Sequence, residues 1–284
     1  MSGKLEFYLD MAGNELPTIP EVAARVMRVV DDPNSSVGDL RALIDQDVPL
    51  AANVLRVANS ALYGFSGEIP SLPRAIALIG SRAVRNLVLS VSMKSTFRQF
   101  GLMERLLWTH STLAGPVTAA LARHFRVGID LDEAFTAGLL HDVGKNALAN
   151  SHRDGYEEVV ARVYNEKISF VQAERDHFGF DHAELGARVA ERWKLPEHLI
   201  TAIRGHHDSA AMTGPPDAQG RLTALVAIST ACLTRNGVGR REPAEGLDLT
   251  NLPAWRFLCL REEDVDSTLE LCIEQVERAR ALVA

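Results

Sequence analysis

The stretch Gly138-Leu139-Leu140-His141-Asp142-Val143-Gly144-Lys145 ends an otherwise apolar segment with an imidazole, a carboxylate and an ammonium group. Its apolar residues predict a buried helical segment that carries charge at its end. Burying a charge without a partner costs several kcal/mol. We therefore expect His141, Asp142 and Lys145 either to reach solvent or to face a group of opposite charge, such as a divalent metal ion.

Composition limits what this charged cluster can belong to. The chain has 284 residues, of which 46% are hydrophobic, so it is expected to fold into one or two compact domains. Its net charge is −7, from 30 basic and 37 acidic residues. A negative protein repels phosphate backbones at long range, which makes a nucleic-acid partner unlikely unless a local basic patch exists.

Cysteine usage and the chain start bear on the compartment. Cys232, Cys259 and Cys272 are odd in number and lack CxxC spacing, which indicates neither a disulfide framework nor a thiolate zinc site. The sequence from Met1 to Glu6 has no apolar signal core, and no uncharged apolar run approaches the roughly 18 residues of a membrane span. We expect a soluble cytoplasmic protein without a membrane partner.

Apolar residues recur at three- and four-residue spacing along nearly the whole chain, which predicts an all-α protein. In the first half, the predicted helices cover 17–30, Ser36 to Gln46 with Asp39 in a capping-box position, Pro49 to Asn59, Ser71 to Gly80, and the residues from Ser81 onward. In the second half, they cover 103–125, 132–146, the residues from Asp181, 196–205, 222–233 and 264–282. Short polar loops predict that the halves, 1–100 and 101–284, pack together.

Five histidines and one aspartate from several predicted helices form a candidate metal-binding set: His110, His141, Asp142, His182, His206 and His207. Metal sites in helical bundles are assembled in this way. Neutral imidazole and carboxylate suit iron, manganese or zinc, and the lack of thiolates argues against a closed structural zinc site.

Each member of this set also has a structural explanation. A single helical histidine, such as His110 or His182, is more often a satisfied polar residue than a ligand. The pair His206-His207 is also compatible with a helix C-terminus, where a cationic side chain meets the negative end of the dipole. Lys145 follows His141 by four residues, on one face of the predicted helix, where it either meets a bound phosphate or caps the helix end.

The His141-Asp142 stretch, with His110 before it and histidines after it, resembles the HD superfamily of metal-dependent phosphohydrolases. Three further motifs resemble the HDOD family more specifically. The first is Leu16-Pro17-Thr18-Ile19-Pro20. The second is the segment from Ile44 to Ser60, which contains Asp45-Gln46-Asp47 and Val54-Leu55-Arg56-Val57-Ala58-Asn59-Ser60. The third is Leu72-Pro73-Arg74-Ala75-Ile76-Ala77-Leu78-Ile79-Gly80. The resemblance covers residues 16–235.

The resemblance implies two packed helical subdomains, the second an HD-type bundle, in a bacterial signal-transduction protein. HDOD members often lack catalytic residues. The continuation Gly144-Lys145 is similar to the HD-GYP branch, which hydrolyses cyclic di-GMP. By that likeness the six residues of the set are ligands of one or two divalent ions, Lys145 contacts phosphate, and Asp142 and Lys145 are the candidate catalytic residues.

Three departures from the HD pattern weigh against catalysis. No Gly-Tyr-Pro follows His206-His207, where the chain reads Asp208 to Gly214. The Asp that normally completes the site in a later helix is matched by Thr230, and a hydroxyl is a poorer ligand than a carboxylate for a hard ion. An extra carboxylate sometimes found one turn before the first histidine is replaced by Leu106.

Two function classes follow. The first is a regulatory module that binds a signalling protein or a small phosphate-containing ligand, with a structural or vestigial metal site. The second is a metal-dependent phosphohydrolase, in which Asp142 bridges ions or accepts a proton and Lys145 offsets phosphate charge. The sequence leaves enzymatic activity open.

Two surfaces are further candidates. Polar residues repeat along the helix before the 63–70 loop and form either a ligand or partner surface or a set of caps and loop-bracing hydrogen bonds. They are Asn53, Arg56, Asn59 and Ser60. A modest basic face is the only support for DNA binding, and such faces are usually solvated. It consists of Arg82, Arg85, Lys94 and Arg98, of which the first three are expected to face solvent.

Overall fold

The computed structural model describes residues 2–13 and 16–284, and in these ranges it contains α- and 3-10 helices and no strand. The all-α prediction is therefore confirmed. The first half contains α1 (Ser2–Ala12), α2 (Glu21–Asp31), α3 (Val37–Asp45), α4 (Val48–Ala58), α5 (Leu72–Ile79) and α6 (Ser81–Met93). The second half begins with α7 (Leu102–Phe125), α8 (Leu131–Leu140), α9 (Val143–Ser151), α10 (Arg153–Asn165) and α11 (Phe170–Phe178). It continues with α12 (His182–Arg192), α13 (Glu197–Gly205), α14 (Ala218–Arg235), α15 (Pro253–Phe257) and α16 (Asp264–Arg278).

Local signals set several helix starts as predicted. Ser36 caps α3 with a complete capping box, in which its hydroxyl accepts from the Asp39 N–H and Asp39 accepts from the Ser36 N–H. Pro49 lies in the first turn of α4, whose N-cap is Asp47. The helix predicted over 17–30 starts only at Glu21, because Pro20 holds extended backbone at the N-cap and restricts the residue before it.

One predicted helix is wrong. The helix expected over 132–146 is two helices, α8 and α9, which meet at His141 and Asp142. In a continuous helix, neighbouring side chains point in directions about 100° apart, so His141 and Asp142 would face different surroundings. The break at these two residues turns both side chains toward one centre. The single helical face proposed for His141 and Lys145 does not exist.

One hydrophobic core contains buried residues of both halves, among them Leu40 and Leu87 from the first half and Leu121 and Leu225 from the second. The chain end returns to the first half, where Arg56 donates to the carbonyl of Ala281 at 2.6 Å. The two halves are packed together, as predicted. The division near residue 100 remains a prediction.

The predicted basic face is partly wrong. The Arg85 side chain is only 12% exposed, because α6 packs against α2 and holds it beside Asp31, at an N–O distance of 3.2 Å. Arg82 is 61% exposed and pairs with Asp130. Lys94 is exposed, with its ammonium group over the rings of Phe100 and Trp108.

No single helix in residues 2–13 and 16–284 is long and apolar enough to cross a membrane. Leu72–Ile79 and Ser81–Thr96 together reach the necessary length and composition, but a bend of 116° separates them.

Candidate metal centre

Four parts of the second half converge on Asp142. His110 comes from the middle of α7, His141 and Asp142 from the break between α8 and α9, and His182 from the first position of α12. His206 and His207 directly follow the end of α13. Five of these six side chains are buried, and His207 is exposed. The structure therefore brings together the whole candidate set.

Close contact between two helices makes this convergence possible. A Cβ atom on Gly144 would overlap the carbonyl oxygen of His182 and lie 2.8 Å from the backbone nitrogen of Gly186. Glycine at position 144 thus lets α9 lie directly on the first turns of α12. This contact carries His182 to Asp142.

The Asp142 carboxylate lies at the middle of the cluster. Its Oδ1 atom is 3.2 Å from His182 Nε2 and 3.8 Å from His206 Nε2. Its Oδ2 atom is 3.3 Å from His141 Nε2 and 3.9 Å from His110 Nε2. Every one of these imidazoles therefore presents the same nitrogen, Nε2, to the carboxylate.

The other ring nitrogen of each imidazole donates a hydrogen bond that fixes its tautomer. His110, His141 and His206 donate from Nδ1 to the backbone carbonyls of Val238, Gly138 and Ile203, at 3.1, 2.7 and 2.7 Å. A carbonyl oxygen only accepts, so Nδ1 carries the proton and Nε2 of the neutral ring is left with a free lone pair. Metal-ligating histidines have this arrangement.

The fourth imidazole, that of His182, donates its Nδ1 hydrogen bond to a carboxylate. His182 Nδ1 donates to Glu174 Oε2 at 2.6 Å, and the His182 backbone N–H donates to the same oxygen at 2.8 Å. Glu174 is completely buried in α11 and also accepts a hydrogen bond from the Tyr156 hydroxyl. A carboxylate in this position orients a ligating histidine and makes it more basic.

Several inward-facing atoms lack any hydrogen-bond partner of good geometry. They are the buried Nε2 atoms of His141, His182 and His206, Oδ1 of Asp142 and Oγ1 of Thr230. Buried polar atoms are nearly always satisfied, and a cluster without partners inside the protein is typical of a site that binds an ion or water. The donor set, nitrogen and oxygen without sulfur, fits a divalent transition metal.

The ligand atoms fall into two groups, each compact enough for one ion. His110, His141 and Asp142 form the first group, and His182, His206 and His207 form the second. Within each group all ligand atoms lie within 4.8 Å of one another. The geometry is therefore compatible with one or two ions.

Burial and neighbouring charges shift the pKa values in this cluster. Burial lowers the pKa of His110 to about 3 and of His206 to about 4, so both rings are neutral near pH 7. Burial is the largest influence on His182 and opposes its charge, but the Glu174 and Asp142 carboxylates together outweigh it and raise the pKa to about 9. Burial opposes charge on Asp142 too, yet His141, Lys145 and His182 hold its pKa well below the usual range.

Lys145 is buried beside the carboxylate and not at a solvated helix end. Its ammonium group donates to Asp142 Oδ2 at 2.7 Å and lies 4.5 Å from the ring centroid of Phe170. The expected pairing with an opposite charge is confirmed, but the partner is Asp142, three residues away, and the contact is across the start of α9. The phosphate contact of Lys145 remains a prediction.

A cavity of 580 Å³ opens onto this cluster. His110, Asp142, Lys145, His206 and His207 line it, together with Thr230 from α14. Thr230 is thus at the edge of the centre, where the resemblance places the last carboxylate. A small molecule in this cavity would lie against Lys145 and the four members of the candidate set that line it, His110, Asp142, His206 and His207.

A family model for the HDOD domain matches residues 16–209. The chain belongs to the HDOD family. The match begins at the predicted residue but ends at 209 and not at 235, so Thr230 and the segment after α14 lie beyond it.

Two proteins resemble this chain over most of its length. A Treponema pallidum (strain Nichols) protein, described as uncharacterized, is 29% identical over 204 residues, which are 69% of this chain and 38% of that protein. The chain thus spans well under half of that relative's length. An HDOD domain protein with unknown function from Geobacter sulfurreducens has a TM-score of 0.80 at 27% identity, covering 99% of this chain and 97% of that one.

A third protein shares the fold at lower identity. It is a Shewanella amazonensis SB2B protein described as a "putative metal-dependent phosphohydrolase". Its TM-score is 0.67 at 22% identity, and the alignment covers 100% of both chains. Together with the Geobacter structure, it confirms the HDOD helical fold.

Glu174 and Val238 of this HDOD chain were not predicted from the sequence. Glu174 accepts a hydrogen bond from Nδ1 of His182, and the Val238 carbonyl accepts one from Nδ1 of His110. Glu174 lies in α11 and His182 begins α12, and only the turn between these two helices brings them together. Val238 acts through its backbone, which carries no side-chain signal. The other four histidines, His124, His152, His177 and His198, lie outside the cluster.

The candidate surface on α4 of the HDOD domain makes intramolecular contacts. Asn59 pairs with the backbone N–H and carbonyl of Ile69 and so braces the 63–70 loop. Ser60 donates to Val57, and Arg56 contacts Asn53 and Ala281. These contacts agree with the alternative in which the four residues act as caps and loop-bracing hydrogen-bond partners. A ligand or partner surface at these residues remains a prediction.

Proposed function

We propose that this HDOD protein is a bacterial signal-transduction module whose centre holds a divalent metal and binds a small phosphate-containing ligand. One observation carries the proposal. Three buried imidazoles, from His141, His182 and His206, are fixed by their Nδ1 hydrogen bonds and leave Nε2 without a partner around Asp142. A cluster with only a structural role would satisfy these atoms within the protein.

The metal would be held by the six-residue set, as one ion or two. Iron, manganese and zinc all suit imidazole and carboxylate ligands. When bound, such an ion would supply Lewis acidity toward a phosphate oxygen. The Nδ1 hydrogen bonds and the Glu174 carboxylate keep the imidazoles oriented, and the low pKa values of His110 and His206 keep these two rings unprotonated.

A phosphate group suits the charge at the cavity floor. Lys145 supplies a buried ammonium that donates to Asp142 and lies 4.5 Å from the ring centroid of Phe170. An ammonium in a site with little water attracts a phosphate more strongly than it would at the surface. Lys145 therefore gives the ligand a fixed positive partner next to the metal.

Binding is favoured over turnover because of Thr230. Thr230 lines the cavity, and its buried hydroxyl has no hydrogen-bond partner, at the position that the HD pattern gives to an aspartate. With one carboxylate, Asp142, in the set, the centre has less negative charge with which to hold a second hard ion.

The cytoplasm is the compartment we propose, because a signalling protein partner would be met there.

A phosphohydrolase is the second candidate, because the cavity opens onto both Asp142 and Lys145. The description of the Shewanella protein supports the same chemistry. In this case Asp142 would accept a proton from the attacking water, and Lys145 would stabilise charge that develops on the phosphate.

Calorimetry on the manganese-loaded protein separates the two candidates. Inorganic phosphate should bind, whereas p-nitrophenyl phosphate and cyclic dinucleotides should remain intact over hours. Turnover that is lost in His141→Ala would replace the regulatory proposal with the phosphohydrolase. Fully loaded protein that neither binds inorganic phosphate nor hydrolyses any of these esters would contradict both.

A further inference from the structure

The wall of the cavity differs in chemistry from its floor, which is formed by the metal cluster and Lys145. Above the metal cluster and Lys145, the lining side chains are mostly aliphatic or aromatic: Leu107, Val163, Ile168, Phe170, Met212 and Leu252. Ligand cavities of this size usually combine an apolar wall with a few polar groups that fix the ligand's orientation. The wall favours a ligand whose body, beyond the phosphate, is apolar.

One wall comes from the segment after α14, residues 236–248, which packs directly on α7. Gly239 has a φ of +68°, and a Cβ there would lie 2.6 Å from the Leu106 carbonyl and 2.7 Å from the His110 nitrogen. Only glycine fits both this conformation and this contact. The same segment provides the Val238 carbonyl that orients His110, and it places Arg240 next in the chain, on the cavity.

Arg240 has no carboxylate within ion-pair distance in the part of the chain that the structure describes, although it contributes to the lowered pKa of Glu242. Its Nε atom is buried and makes no hydrogen bond, and within residues 2–13 and 16–284 no carboxylate forms an ion pair with its guanidinium group. Its guanidinium carbon lies 5.6 Å from the ring centroid of Tyr164. The nearby Glu242 is paired with Lys167 instead. A buried, unsatisfied guanidinium N–H is costly unless a ligand supplies the acceptor.

The other cations at the cavity are already paired. Lys145 donates to Asp142, and Lys167 is 71% exposed and bound to Glu242. Arginine presents a planar fork that suits carboxylate and phosphate oxygens. Arg240 is therefore the cavity residue best suited to receive a second anionic group.

We propose that the ligand is a phosphate ester with an apolar body and a second anionic group, and that Arg240 contacts this second group. The assignment rests on the proposed function, because the first phosphate is the one placed at the metal and Lys145. It adds the chemical class of the ligand and a specificity-determining residue that lies beyond the HDOD match, which ends at 209.

Matched probes test the assignment by calorimetry on manganese-loaded protein. One series is alkyl phosphates of four to ten carbons, and the other is the same chains with a terminal carboxylate. At the chain length that spans the cavity, we expect the carboxylated probe to bind about tenfold tighter than its plain counterpart. Arg240→Gln should remove this preference while leaving the affinity for the plain probe unchanged.

Arg241→Gln is the control. Arg241 lies 5.1 Å from the same Tyr164 ring but does not line the cavity, so its replacement should leave the preference intact. Equal affinity for both series at every length in the wild type would overturn the assignment. A preference that survives in Arg240→Gln would overturn it as well.

A third probe distinguishes this assignment from the proposed function. Octanoate has a carboxylate and an apolar chain but no phosphate. If no phosphate probe binds to the loaded protein, the proposed function fails. Octanoate binding that is lost in Arg240→Gln would then still support the anion contact, whereas octanoate binding that is absent or unaffected would overturn it.

Discussion

Gly144 of α9 lies against the His182 backbone of α12 so closely that a Cβ atom has no room between them. This contact joins the helix that follows Asp142 to the helix that begins with His182. It sets the 3.2 Å distance between Asp142 Oδ1 and His182 Nε2. The geometry of the centre thus depends on a residue that carries no side chain.

Gly144→Ala should destabilise the protein and weaken metal binding. The added methyl group meets backbone atoms, which cannot rotate away, so α9 must move from α12; overpacking of this kind costs about 1–3 kcal/mol or more. Urea unfolding of the metal-free protein measures the loss. The control Gly246→Ala, where a Cβ meets no atom within 4 Å, should change stability by less than about 0.5 kcal/mol. If Gly144→Ala is as stable as Gly246→Ala, the close contact between Gly144 and α12 is wrong.

Glu174→Gln should lower the metal affinity by about 10- to 100-fold, because a ligating imidazole loses the charged partner that orients it and raises its basicity. The amide keeps the side chain's shape, so the fold should survive. Competition with a chelating dye measures the affinity. Glu166→Gln, which removes an exposed carboxylate paired with Arg162, should leave it unchanged. An unaltered affinity in Glu174→Gln would contradict the role of the Glu174 charge in metal binding through His182.

Lys145→Met should retain the metal and lose at least about tenfold in affinity for inorganic phosphate, since a charge-assisted hydrogen bond is removed. Methionine preserves most of the side chain's volume. Calorimetry with phosphate, after metal analysis of the same sample, separates the two effects. Lys94→Met, which removes an exposed cation above Phe100, is the control. Unchanged phosphate affinity would leave Lys145 as a structural partner of Asp142.

Thr230→Asp should increase the amount of bound metal or its affinity. The substitution replaces a buried hydroxyl that has no hydrogen-bond partner with a carboxylate, and carboxylates are better ligands for hard ions. Thr234→Asp, one helical turn further along the same cavity wall, tests whether the position matters. Metal titration with both variants decides the point. An equal gain in both would reflect negative charge alone.

The sequence predicted the elements that local signals control, and it missed those that depend on distant contacts. The capping box of Ser36 and Asp39 was predicted correctly because its residues are three apart. The break at His141 and Asp142 was missed because apolar spacing continues through it; contact of Gly144 with α12 was invisible in the sequence. The six candidate ligands were found by residue type. Glu174 and Arg240 were not, since only tertiary packing relates them to the centre.

Elemental analysis of the purified protein tests the central claim most directly. Wild type and the double variant His141→Ala/Asp142→Ala are compared as purified and after refilling with iron, manganese or zinc, with unfolding curves to show that both are folded. We predict near-stoichiometric metal in the wild type and its loss in the variant. A wild type that stays free of metal after refilling, or a folded variant that retains it, would contradict the metal centre.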